Sequence, residues 1–378
     1  MKKFLFALLP FLHWLPAQAQ GLMPPPAAPD IAARSWLLMD FQSGQVLQAQ
    51  NPDERIEPAS LTKLMTAYLA FTAIRQGRLK LTDTLPVSEK AWRIEGSRMF
   101  LDPRQPARVD DLLKGMIVQS GNDACITLAE GIAGSEEAFA ELMNREAKRL
   151  GLANTHFINS TGLPHPQHYS TARDLARLAA ALIRDFPEFY RLYSLKEFTY
   201  NKITQPNRNR LLWQDPYVDG VKTGHTEGAG YCLIASAKRG EMRLISVVAG
   251  AASDNARTME SQKLLNYGFQ FYETYRLYRK GQTVATLPVY KGAAKNVAAG
   301  FDHDVYLSLP KGYYAQAKAT LVSRQPLLAP LAKGQPVGTL TIEVGGKPYA
   351  SFTLQALQEV GVAGLFGRAW DTVRLWWR

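Results

Sequence analysis

Pro58-Ala59-Ser60-Leu61-Thr62-Lys63-Leu64-Met65-Thr66 is the stretch on which the fold turns. Leu64, Met65, Tyr68 and Leu69 follow Ser60 at helical spacing, so the segment opens a helix. Residues three apart share a helix face, which sets Lys63 beside Ser60. A serine hydroxyl is a weak nucleophile until a neighbour removes its proton. A lysine does so only where burial or a second cation lowers its pKa. The helix start adds backbone N–H groups and positive potential beside a developing oxyanion. Alone, Ser-x-x-Lys is a weak signal that a surface serine and lysine also produce.

Two further triplets raise it. Ser120-Gly121-Asn122 lies between helical stretches. There Ser120 can relay a proton between Lys63 and a leaving amine, and Asn122 offers donor and acceptor to a peptide backbone. Lys222-Thr223-Gly224, followed by His225, enters the strand run Tyr231 to Ala235. Lys222 supplies a fixed cation that can hold Lys63 neutral, Thr223 can donate to a carboxylate, and Gly224 lets a substrate backbone approach closely. Each triplet alone is a common turn or cap. In this order they form the set shared by penicillin-binding proteins and class A β-lactamases.

The chain closely resembles the low-molecular-mass penicillin-binding proteins that act as D-alanyl-D-alanine carboxypeptidases. The resemblance covers nearly the whole chain. It includes Ser120-Gly121-Asn122-Asp123-Ala124-Cys125, Asn154-Thr155-His156-Phe157, Tyr169 to Asp174, Asn207-Arg208-Asn209 and Asp219 to Thr226. It implies an α+β catalytic domain of the serine β-lactamase/transpeptidase kind, then a small β domain, then an amphipathic anchor. It also implies acylation by β-lactam antibiotics and a peptidoglycan peptide ending in D-Ala-D-Ala as substrate. By position, the backbone N–H groups of Ser60 and His225 form the oxyanion hole, and Thr223 and Arg257 hold the terminal carboxylate. No metal or organic cofactor is implied. Thr161 stands where related chains often carry a histidine, so that residue's role does not carry over. His165 and His168 nearby read as solvated loop histidines, and Asp174 as a helix-start charge or loop tether.

Between Ser120 and Lys222 there is no Glu-x-x-Leu-Asn stretch of the kind a class A β-lactamase needs to activate its deacylating water. An endopeptidase of the same superfamily stays open, and would prefer a cross-linked dimer over a pentapeptide. A wall-binding scaffold needs neither Ser60 nor Lys63.

Composition frames this reading. With 46% hydrophobic and 20% charged residues over 378 positions, the chain is a globular protein large enough for more than one domain. Lys2 and Lys3 precede an apolar run from Phe4 to Leu15, and Ala17-Gln18-Ala19 matches a cleavage pattern. Residues 1–19 therefore read as a signal peptide and 20–29 as a leader. Without Lys2 and Lys3 the net charge falls from +11 to +9. Export makes an anionic membrane surface and carboxylate-bearing substrates better partners than nucleic acid. Cys125 and Cys232 read as two buried thiols rather than a bonded pair.

Ala32 to Gln50 looks like a hairpin, and a helix-rich stretch follows to about Phe189. Strand signals return at Tyr217-Val218, Tyr231 to Ala235 and Leu244 to Ala249, and Ser261 to Tyr275 reads as a helix. The catalytic domain is expected over 30–275. Short alternating runs at 284–287, 305–309, 317–322 and 339–344 mark a β-rich domain over 276–358, a candidate platform for protein partners. Residues 359–378 complete the chain. On a helical wheel, Leu365, Phe366, Ala369, Trp370, Val373, Trp376 and Trp377 share one arc, opposite Arg368, Asp371, Arg374 and Arg378. Leu375 is the apolar exception on the polar side. Such a face fits a helix lying in the plane of an anionic membrane surface at the periplasmic side of the cytoplasmic membrane.

Overall fold

A computed structural model describes residues 26–376. The expected signal peptide and the first part of the leader lie outside those residues, as do Trp377 and Arg378.

The architecture is α+β. Five antiparallel strands form the central sheet, in the order Val46–Gln50, Ser35–Asp40, Met242–Ala251, Gly230–Arg239, Val218–Thr226. Ala32 to Gln50 is the hairpin expected from its turn residues. Side chains of a strand alternate between faces, so a strand buried on both reads as a continuous apolar run. Leu37 and Met39 enter the core of the helical cluster, while Trp36 and Leu38 enter a second core on the opposite face. Leu264 and Leu265 of the helix Asp254–Phe271 close that second core.

This helix starts seven residues before the expected Ser261 and ends four before the expected Tyr275. Ser253 caps it by accepting from the Ala256 N–H at 3.0 Å, and the polar first turns hid its start. The chain from Tyr272 to Tyr278 is a strand instead, paired with Val305–Pro310. The boundary expected at 275/276 therefore falls inside a strand, and the architecture changes after Phe271. Thr274 ties the two parts together, its Oγ1 donating to Asp40 Oδ2 at 2.8 Å.

The C-terminal part carries a six-stranded sheet in the order Ala317–Ser323, Pro336–Val344, Lys347–Ala356, Asn296–Gly300, Thr283–Tyr290, Leu327–Leu328. All four alternating runs lie on strands. Residues 359–364 are not helical: Val360 and Leu331 exchange backbone hydrogen bonds. The last helix spans Leu365–Trp376. Cys125 and Cys232 are free and buried.

Candidate active site

Ser60 sits in a 3-10 turn, Ala59–Thr62, that runs directly into the helix Lys63–Arg75. Ala59 holds φ at +47°, a conformation disfavoured for a residue with a Cβ and typical of constrained functional turns. Lys63 is buried beneath the turn. Its Nζ donates to Ser60 Oγ at 2.8 Å, Asn122 Oδ1 at 2.8 Å and the Thr161 carbonyl at 2.7 Å. Burial pushes its pKa down to about 8, and the Arg208 charge acts in the same direction.

Ser120 ends a π turn, Gly115–Gln119, in a left-handed conformation with φ +67°. Its buried Oγ has no hydrogen-bond partner among the described residues. Asn122 opens the next helix and is steadied by donating from Nδ2 to the Glu95 carbonyl at 2.7 Å.

Lys222-Thr223-Gly224 lies within the edge strand Val218–Thr226, not ahead of one. That strand packs tightly on the nucleophile turn: a Cβ at Gly224 would stand 3.1 Å from the Pro58 carbonyl. Lys222 is buried, and its Nζ donates to the Thr223 carbonyl at 3.1 Å. Burial, with the neighbouring charge of Lys63, holds the Lys222 ammonium well below its usual range, so the two amines resist carrying two charges together.

A cleft of about 880 Å³ is lined by Ser60, Ser120, Asn122, Thr223, Gly224, His225 and Arg257, among others. Lys63 and Lys222 sit buried against it. Arg257 is buried rather than a plain surface charge, and its Nη1 donates to the Gly224 carbonyl at 3.0 Å. Arg208, Arg210 and Asp254 line the same cleft. Sequence reasoning gave these three no role. Asn207-Arg208-Asn209 stands out as a motif, but nothing in its spacing brings it to the cleft that holds Ser60.

One family model, that of D-alanyl-D-alanine carboxypeptidase, matches residues 23–253. The chain belongs to the D-alanyl-D-alanine carboxypeptidase family. A second model, the C-terminal domain of penicillin-binding protein 5, matches residues 272–362. The D-alanyl-D-alanine carboxypeptidase DacC of Escherichia coli (strain K12) is 48% identical over 92% of this chain and 89% of its own length. Among solved structures, penicillin binding protein 5 from Haemophilus influenzae superposes with a TM-score of 0.85 at 45% identity. That match covers 90% of this chain and 100% of that one. Penicillin-Binding Protein D2 from Listeria monocytogenes, in an ampicillin-bound form, matches 64% of this chain and 98% of its own at 32% identity, with a TM-score of 0.59. This carboxypeptidase is thus a serine-type hydrolase of peptides ending in D-Ala-D-Ala.

The loop carrying Thr161 departs from expectation at one histidine. His165 is exposed, but His168 is buried against the nucleophile turn. Its Nδ1 accepts from the Ile158 N–H at 3.2 Å. The ring proton therefore sits on Nε2 and is donated to Thr62 Oγ1, 2.8 Å away. Burial pushes the His168 pKa down to about 4 and keeps the ring neutral. Thr161 contributes its carbonyl to Lys63, while its hydroxyl donates to Asn159 Oδ1 at 3.0 Å. Asp174 tethers the start of this loop, accepting from the Asn154 N–H and the Thr155 hydroxyl at 2.8 Å each.

Proposed function

We propose that Ser60 is the nucleophile and Lys63 its base. One observation carries the reading: Lys63 Nζ has two fixed acceptors, Asn122 Oδ1 and the Thr161 carbonyl, and meets Ser60 Oγ as its third neighbour. A neutral amine so held spends its two N–H donors on those acceptors and turns its lone pair to the serine hydroxyl. Ser60 Oγ then bonds the carbonyl carbon between the two terminal D-alanines as its proton passes to Lys63. The oxyanion rests on the N–H groups of Ser60 and His225. The carbon–nitrogen bond breaks, and Ser120 passes the proton from Lys63 to the departing amine. Water then releases the shortened peptide from Ser60. Asn122 and Thr223 hold the peptide backbone and its end, Gly224 admits it, and Lys222 and Arg257 supply positive charge for its carboxylate. A β-lactam enters by the same acylation, a reading supported by the ampicillin-bound relative.

The base must be neutral, so the acid limb of acylation should report Lys63. Its pKa of about 8 gives a definite sign: raising the pH deprotonates the amine and speeds the reaction. Acylation by a chromogenic cephalosporin, followed by stopped flow, should rise about tenfold per pH unit below about pH 8 and level off above it. A rate flat from pH 5 to pH 9 would exclude Lys63 as the base.

Domain division and location belong to the same proposal. The catalytic unit is taken as 30–271, the β-rich unit as 272–364 and the anchor as the chain from Leu365. Among the described residues no helix is long and apolar enough to cross a membrane. The signal peptide, residues 1–19, exports the chain to the periplasm, and the last helix holds it to the membrane surface. In support, Phe366, Trp370 and Trp376 are 94%, 67% and 91% exposed. Asp371, on the polar side, accepts from the Lys291 N–H at 2.5 Å, and Leu375 beside it is half-buried. The helix thus rests its polar side on the β-rich part and leaves the aromatic face outward. Full-length protein should float with phosphatidylglycerol vesicles, and a form ending at Val360 should not. Equal flotation of both would rule out the anchor. The edge strand Ala317–Ser323, with Val322 exposed, supports the β-rich unit as a surface for protein partners.

A further inference from the structure

The cleft already contains a carboxylate beside the cation assigned to the substrate's own. Arg257 presents five N–H donors. Nη1 is spent on the carbonyls of Gly224, at 3.0 Å, and Cys232, at 3.4 Å. Nη2 donates to Asp254 Oδ1. Nε is buried and has no partner among the described residues. Nε and Nη2 together form the side-on fork that a carboxylate grips with both oxygens. Asp254 occupies half of that fork, and its second oxygen, Oδ2, is turned to Arg210 Nε at 2.6 Å. Arg210 is more than half exposed at the same cleft.

We propose that Asp254 is a positioning residue that sets affinity for the peptide's carboxylate end: it competes for Arg257, and Arg210 is the cation that takes it when substrate arrives. The inference rests on the reading of Arg257 as the substrate-carboxylate site. A buried donor without a partner is costly. An incoming carboxylate spanning Nε and Nη2 satisfies Nε, but only if Asp254 yields Nη2. Two carboxylates sharing one guanidinium repel each other, so Asp254 weakens binding of an acid and not of a neutral amide. Arg210 lowers that penalty by giving Asp254 a second place to rest. Asp254 also opens a helix, where a negative charge is favourable in its own right. That role alone would tie its replacement to stability and leave substrate affinity unchanged.

The test compares an N-acylated L-Lys-D-Ala-D-Ala peptide with its C-terminal amide, the amide measured as a competing inhibitor. In D254N, KM for the acid should fall about three- to tenfold with kcat within about twofold, and affinity for the amide should not improve. In R210A, KM for the acid should rise. In the double variant the R210A effect should largely vanish, because no carboxylate remains to be released. A rise of equal size in both backgrounds would make Arg210 a simple attractive charge and overturn the exchange. An unchanged KM in D254N would overturn the competition. Arg257→Ala separates the two levels. If it leaves the preference for acid over amide intact, the carboxylate site itself is misassigned. If it abolishes that preference while D254N changes nothing, only the inference about Asp254 fails.

Discussion

Ser60→Ala should abolish both turnover of a D-Ala-D-Ala pentapeptide and labelling by a fluorescent penicillin, with kcat down by about 10⁵- to 10⁶-fold. The hydroxyl lines the cleft and lies 2.8 Å from Lys63 Nζ, the base proposed for it. Its loss leaves Lys63 with Asn122 Oδ1 and the Thr161 carbonyl, so the amine keeps its place. Ser60 is only half-buried in its turn, and the missing oxygen opens no sizeable cavity. The melting temperature should therefore move by less than about 2 °C. Loss of labelling with an intact fold separates a chemical role from a structural one. Retained labelling would put the nucleophile elsewhere.

Gly162→Ala should come next in size, although Gly162 supplies no reacting atom. It holds φ at +87°, and a Cβ there would fall 1.8 Å from the Ala59 carbonyl oxygen and 2.4 Å from its carbon. Both are backbone atoms, so no side-chain rotation relieves the clash. Either the loop lifts, taking the Thr161 carbonyl from Lys63, or the turn bearing Ser60 shifts. A displacement of about 1 Å in a reacting group costs about 100-fold. Penicillin acylation should slow by at least that factor, with stability lower by about 1–3 kcal/mol. Gly151 is the control. Its φ of +71° carries similar strain, but a Cβ there meets nothing within 4 Å. Gly151→Ala should lose a little stability and keep its acylation rate. Equal rates in the two variants would refute the packing of loop on turn as the element that holds the base.

The parts legible in the sequence are those that chemistry writes locally. The central strands read directly because burial on both faces leaves a nearly continuous apolar run at Leu244 to Ala249, interrupted by Ser246 alone. Ser60 and Lys63 read directly because helical spacing sets them side by side. The edge strand bearing Lys222 did not, since Asp219, Lys222, Thr223 and His225 break any apolar alternation. Asp219 is matched by Arg243 at 2.6 Å, a partner 24 residues on. His168 looked like a solvated loop residue because its partner Thr62 lies 106 positions away. The third acceptor of Lys63 is a backbone carbonyl, and any residue at 161 would supply it. The same atom recasts the substitution at that position, since the Thr161 side chain points its hydroxyl to Asn159 and leaves the carbonyl to do the holding.

Covalent trapping tests the central claim most directly. The full chain is incubated with a penicillin and quenched in acid, then digested and sequenced by tandem mass spectrometry. One penicilloyl group should be found per chain, on the peptide containing Ser60, with the added mass localised to that serine. An adduct on Ser120 or any other residue, or no adduct under conditions where a known penicillin-binding protein is fully labelled, would contradict it.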